Sequence, residues 1–157
     1  MIVKLSELDT YEIAWASHDR WKYKRDLGII SNKVDSKRDE FAITTEGMAG
    51  EWAVAKVLGL PVNLELHPGG DPGWDFECFG YRFDVKTTRA KYLLFRSLEN
   101  FKADIAVLAR YLNHYQVDLV GGIKRSDFLA KCQVKDFGYG DNYVVDPEDL
   151  NDIREFL

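Results

Sequence analysis

The sequence has no apolar run near the roughly 20 residues that a membrane-spanning helix needs. It has only two cysteines, Cys78 and Cys132, far apart and in no CxxC pairing. A zinc site built on paired thiolates is therefore not expected, and two free thiols in a reducing cytosol are. Internal repeats and low-complexity stretches are absent. The opening residues, Met1 to Glu7, lack the basic segment, apolar run and small-residue cleavage site of a secretory signal, so the expectation is a soluble cytoplasmic protein with no membrane partner. Net positive charge is lacking too. A net charge of −5 counts against a strong nonspecific DNA binder.

What is present suits one domain with a real core: 157 residues, 46% apolar and 13% aromatic. Charge is unevenly spread. From Arg20 to Arg38, seven basic residues (Arg20, Lys22, Lys24, Arg25, Lys33, Lys37, Arg38) face two acids, Asp26 and Asp35. From Arg82 to Lys102 there are six basic residues and two acids, and from Asp136 to Leu157 seven acids and one arginine. Such asymmetry permits a nucleic-acid face on an acidic protein, although solvated faces would carry the same runs.

Local signals give an order of elements. Ser6, with Asp9 three residues on, resembles a capping box opening a helix to about Lys24. Leu8, Tyr11, Trp15 and His18 recur at spacings of three and four, which predicts an apolar face. Residues 27–41 read as a polar, basic connector. Thr44 or Thr45 is expected to cap a second helix, ended by Gly59 and kept from returning by Pro61. Its stripe is Met48, Trp52, Ala55 and Val57 or Leu58. Strands are expected at 62–66, 74–78, 81–87, 92–95, 105–111 and 117–123, with a tight turn at Phe79-Gly80. A short helix near 126–131, a strand near 143–145 and a helix from Asp146 or Pro147 close the chain. The prediction is an α/β fold, a mixed sheet flanked by helices. The chain would divide into an N-terminal helix and basic connector (1–43), a core (about 44–123) and an acidic C-terminal extension (about 124–157).

The chemistry concentrates in W-D-F-E-C-F-G-Y-R-F-D-V-K, residues 74–86. Alternation along a strand points Asp84 and Lys86 the same way, and a hairpin turning near Gly80 can set Asp75 opposite Asp84. Clustered carboxylates repel unless neutralised, and a hard divalent cation such as Mg²⁺, with Mn²⁺ as substitute, prefers oxygen ligands of this kind. The Val85 carbonyl could add one more. Lys86 beside such a cation could position or deprotonate water, or stabilise charge developing on phosphate. Upstream, Glu51 sits in the second helix just before the stripe expected to face the sheet. Glu46 competes with it, and being five residues apart the two lie on different faces.

The string Glu51-x(23)-Asp75-x(8)-Asp84-x-Lys86 resembles the PD-(D/E)XK nuclease superfamily, in residues and in the order helix, strand, strand. The run G-E-W-A-V-A-K-V-L-G-L, followed by G-W-D-F and F-D-V-K-T-T, looks like the small nucleases of phage and prokaryotic genomes. Similar cores occur in Holliday-junction resolvases, restriction endonucleases and repair nucleases. The likeness covers about residues 44–109. It implies a restriction-endonuclease-like αβββαβ core and a metal-dependent hydrolase of DNA phosphodiesters. It implies Asp75 and Asp84 as metal ligands, Glu51 as auxiliary ligand or water positioner, and Lys86 as the catalytic lysine. Two features depart from the pattern: Trp74 stands where the motif has proline, and the helix expected before the fourth core strand is at most residues 97–102.

Around this set, Thr87 and Thr88 could bond a phosphate or simply favour a strand. Arg89 and Lys91, with Lys22, Lys24 and Arg25, are candidates for contact with the DNA backbone. Asp71, in the glycine-rich stretch 67–73, is an outside candidate for the metal. His18 and His114 are isolated and read as core or surface residues. Cutting both strands of a duplex needs two sites, so a homodimer is expected on that account. The competing expectations are a catalytically silent nucleic-acid-binding domain and a partner-binding protein using the acidic C-terminal segment.

Overall fold

The computed structural model of the protein describes residues 1–29, 38–66 and 72–157. Strand β1 (Ile2–Lys4) is followed by helix α1 (Glu7–Asp26), which opens as its sequence predicts. The Asp9 amide donates to the Ser6 hydroxyl, and the Ser6 amide donates to the Asp9 carboxylate. The buried face of α1 is not the expected one. Leu8, Tyr11 and Trp15 are 65%, 72% and 60% exposed, whereas Ile13, Ala16 and Ser17 are buried. The inward face starts and ends in charge. Asp9 pairs with Lys56 at 2.6 Å and Arg20 pairs with Glu51 at 2.7 Å, so α1 runs antiparallel to helix α2 (Glu40–Leu58).

Helix α2 begins earlier than expected. Asp39, not Thr44 or Thr45, caps it by accepting from the Ala42 amide. The two threonines lie inside the helix, donating to the carbonyls of Glu40 and Phe41. Gly59 ends it in the left-handed conformation, φ 68°, where glycine carries no Cβ penalty. The strand expected over 62–66 does not form. That stretch is irregular and largely exposed.

The remaining chain builds two sheets. The first has β1, β2 (Phe76–Cys78), β3 (Tyr81–Thr88), β5 (Ile105–Asn113) and β6 (Gln116–Lys124), in the order β1-β6-β5-β3-β2. It is mixed: β3 and β5 are parallel and the other pairs antiparallel. The second sheet, β4-β8-β7, uses Leu93–Phe95, Asp141–Val145 and Gln133–Asp136. The expected strand at 92–95 thus leaves the main sheet. The crossover from β3 to β5 holds β4 and a 3₁₀ turn (Leu98–Asn100), with no α-helix. Helix α3 (Arg125–Lys131) follows β6, and the expected terminal helix is two 3₁₀ turns, Pro147–Asp149 and Ile153–Phe156.

Alternation along β5 explains the layers. Ile105, Val107, Ala109 and Tyr111 enter a core shared with α1 and α2 (Met48, Ala53, Val54), while Ala106 and Leu108 enter a second core. There Phe95, Phe101 and Phe128 pack ring on ring, with Phe95 and Phe101 stacked at 4.6 Å. The acidic C-terminal segment contributes to the first core through Ile153 and Phe156. The architecture is therefore mixed α/β, with α1 and α2 on one sheet face and the small sheet with α3 on the other. No described helix is long and apolar enough to cross a membrane.

Candidate active site

The β2–β3 hairpin sets the register of the site. Its two-residue turn holds Phe79 at φ 52° and Gly80 at φ 80°. Two positive values in a two-residue loop match the twist of a hairpin. Phe76 pairs with Phe83, Glu77 with Arg82 and Cys78 with Tyr81. The paired register ends at Phe76, and Asp75 lies one residue before it. The Asp75 amide donates to the Phe83 carbonyl at 2.7 Å. The Asp75 carboxylate then accepts the next edge amide of β3, that of Val85, at 2.7 Å. A side chain thus replaces a strand carbonyl, and β3 beyond Phe83 borders a cavity instead of another strand.

That cavity, of about 550 Å³, is lined by Asp75, Asp84, Val85 and Lys86 from the hairpin. Glu51, Gly47, Thr44 and Glu40 line it from α2, and Arg20, Trp21, Lys24 and Arg25 from α1. All four residues in which the sequence concentrates chemistry therefore border one space. Asp84 is 5% exposed and Glu51 is 7% exposed. Lys86 reaches back to Asp84, Nζ to Oδ1 2.7 Å, with its ammonium 5.2 Å from the Phe95 ring centre. Glu51 takes a two-pronged bond from Arg20, 2.7 and 3.2 Å. Among the described residues, no three His, Cys, Asp or Glu side chains are gathered tightly enough to hold a metal ion as they stand.

Helix register separates the two candidate glutamates. Glu46 is as buried as Glu51 but binds Arg38 at 2.6 Å and Arg89 at 2.9 Å, and it does not line the cavity. Close approach of α2 to β3 depends on Gly50, where a Cβ would stand 1.9 Å from the Thr87 hydroxyl oxygen.

The other candidates divide. Lys24 and Arg25 line the cavity, Arg25 lying 5.2 Å over the Trp21 ring, while Lys22 is exposed elsewhere on α1. Thr87 faces α2, donating weakly to the Gly47 carbonyl at 3.4 Å, and Thr88 accepts from the Ala90 amide in the turn after β3. Arg89 is held by Glu46 and lies over Tyr111. Lys91 is held by Asp146 at 3.2 Å. His114 bonds the Tyr111 hydroxyl at 3.0 Å, and His18 lies beside Trp21 on the surface. Lys33, Asp35, Lys37 and Asp71 lie outside the described residues.

Two residues of the site had only a generic signal in the sequence, Arg20 and Trp21. Arg20 belongs to the basic run, and its spacing of four from Lys24 places both on one helix face. Its partner Glu51 is 31 residues away, beyond any local pattern.

Opposite Trp74, Arg82 forks onto Asp104 at 3.0 Å through each of two nitrogens and stacks at 5.0 Å over the Trp74 ring. The guanidinium holds the Asp104 carboxyl below the usual carboxylate range, helped by the Arg82 amide. This clamp ties the start of β3 to the start of β5. Set against protein-family models, curated proteins and solved structures, the chain matches none of them.

Proposed function

We propose that the protein is a Mg²⁺- or Mn²⁺-dependent nuclease of the PD-(D/E)XK kind, hydrolysing DNA phosphodiester bonds with water. The observation that carries this reading is the convergence of Glu51, Asp75, Asp84, Val85 and Lys86 on one cavity, from a helix and a hairpin far apart in sequence. The helix, the hairpin and the parallel strand β5 are the parts of this mixed α/β fold that support reading it as a restriction-endonuclease-like core. The missing first strand and crossover helix are its departures.

The donor chemistry fits the cation. Asp75, Asp84, Glu51 and the Val85 carbonyl offer oxygen only, as hard divalent ions prefer. Arg20 on Glu51 and Lys86 on Asp84 put positive charge against the carboxylates. Binding a cation requires these two side chains to turn away. A bound Mg²⁺ would supply Lewis-acid polarisation of the phosphoryl group and acidify a water.

The chain's own residues do the rest. Lys24 and Arg25 hold the phosphate backbone at the cavity wall. Glu51, once released by Arg20, orients the attacking water through its carboxylate. The water oxygen bonds to phosphorus as the Glu51 carboxylate takes one of its protons, the bond to the leaving oxygen breaks, and that proton passes through solvent to the leaving oxygen. Lys86, once turned from Asp84, brings an ammonium to the charge that builds on the phosphoryl oxygens. A panel of labelled DNA and RNA forms, incubated with Mg²⁺, Mn²⁺, Ca²⁺ or EDTA, tests the reading. Cleavage of DNA with Mg²⁺ or Mn²⁺ that EDTA abolishes is the expected result, and no cleavage of any form overturns it.

One observation favours a second reading. The same ion pairs, Arg20–Glu51 and Lys86–Asp84, would satisfy the acids structurally in a domain that binds nucleic acid without cutting it. Binding without cation-dependent cleavage would select it.

A further inference from the structure

A second lobe of about 260 Å³, a little below the usual range for small-ligand sites, adjoins the acid-lined cavity. Glu51, Asp75, Arg20, Lys24 and Ile29 border both spaces. Beyond them the walls change character. Tyr23 from the last turns of α1, Trp74 beside the β2–β3 hairpin, Leu66 and Pro72 are apolar or aromatic, with Asn63 and Glu65 as the polar part of the wall. An inorganic ion or a bare phosphate gains nothing from the apolar part of such walls. A nucleotide does, because its base carries an apolar π face one sugar away from the phosphate.

We propose that this lobe receives one unstacked nucleobase, so that the preferred substrate is a DNA strand with an unpaired nucleotide at the scissile position. The inference rests on the nuclease reading for what happens at the phosphate. In a continuous duplex both faces of every base are covered and its pairing edge is occupied, so a base enters the lobe only after unstacking, at a cost of a few kcal/mol. A strand that is already single, frayed or mismatched does not bear that cost. Trp74 is fixed for the task. Arg82 lies over its ring at 5.0 Å, and the fork from Arg82 to Asp104 anchors that support to the main sheet. Lys24, at the border of the two lobes, is placed for the phosphate while the base goes inward.

The test separates this inference from the reading beneath it by measuring binding without cleavage. A short single-stranded oligonucleotide carrying 2-aminopurine, and the same strand in a blunt duplex, are titrated in EDTA with wild-type protein, Trp74→Ala and Trp74→Phe. The expected result is tighter binding of the single strand, with quenched 2-aminopurine emission. Trp74→Ala should lose roughly five- to a hundredfold in single-strand affinity, the stacking of one base. Duplex binding should stay as it was, and Trp74→Phe should keep most of the preference. If Trp74→Ala fails to fold, the Phe variant and the wild-type quench still decide. Equal binding of single strand and duplex, or unquenched emission, overturns the inference. Failure of the nuclease reading has another signature: no Mn²⁺-dependent cleavage of any DNA, whatever the EDTA titration shows. Cation-dependent cleavage equally fast on duplex and single strand, and unaffected by Trp74→Ala, removes the base lobe and leaves the nuclease.

Discussion

The Lys86 ammonium lies 2.7 Å from the Asp84 carboxylate, two residues back on the same strand and on the same face. Asp84 is almost wholly buried and Lys86 is not, so the pair is a buried acid met by a cation that can swing away. A metal ligand and a residue of the chemical step fail differently when removed.

Lys86→Ala should fold and bind Mn²⁺ at least as tightly as wild type, because a competing cation has left Asp84. Cleavage should slow by about a hundredfold or more, the usual worth of a general acid–base or electrostatic contribution. Lys86→Arg should not rescue, since the longer, planar guanidinium cannot set its charge where the compact ammonium stands. Single-turnover cleavage at saturating enzyme reads the chemical step alone. Near-wild-type rates for the alanine variant would remove Lys86 from the chemistry.

Arg20→Ala leaves Glu51 with little solvent and without its guanidinium. Breaking buried pairs costs up to about 3–5 kcal/mol, and this partly exposed one should cost less. The thermal midpoint should fall in EDTA and recover with Mn²⁺ by more than wild type gains. An equal Mn²⁺ gain in both proteins would show that Glu51 takes no part in cation binding.

Nucleic-acid binding should depend on two basic residues of α1 and not on their neighbour. Charge reversal at Lys24 and Arg25, which line the cavity, should weaken DNA binding and lower the salt slope by about one for each phosphate no longer neutralised. Reversal at Lys22 should do neither. Anisotropy titrations across a salt series give both quantities, and an equal effect from Lys22 would mean that binding follows overall charge.

Two glycines of α2 should respond in opposite ways to alanine. At Gly50 the added Cβ meets Thr87 and Ala109, forcing α2 off the sheet at a cost of about 1–3 kcal/mol. At Gly47 nothing stands within 4 Å, so alanine should stabilise the helix by roughly 0.5–1 kcal/mol. Denaturant midpoints decide, and destabilisation at both sites would contradict the helix–sheet geometry.

Asp104 sets a pH signature. Its folded carboxyl titrates below the usual range because Arg82 favours the charged form. Its stabilising contribution is therefore full above the unfolded carboxylate value of about 3.9 and lost as pH falls through the lower folded value. Asp104→Asn should be less stable than wild type at neutral pH, and the gap should close in that acid window. Urea midpoints measured from pH 7 to pH 2 check this, and a gap constant with pH would mean that the charge contributes nothing.

The sequence by itself determined what depends on near neighbours. Ser6 and Asp9 start α1, Gly59 stops α2, the turn at Phe79-Gly80 closes a hairpin that brings Asp75 against the middle of β3, and strand alternation keeps Lys86 on Asp84's side. Each needs only interactions a few residues long. Only the tertiary structure decided which face of α1 turns inward. Leu8, Tyr11 and Trp15 have the spacing of a core stripe, yet Asp9, Ile13, Ala16 and Arg20 hold the inward face. Small side chains let two helices approach, and the charges at either end find partners on α2, so the buried face does not look hydrophobic when read alone. The same holds for Glu51 over Glu46 and for Lys24 over Lys22: helix rotation against a distant element, not local sequence, selects which side chain reaches the cavity.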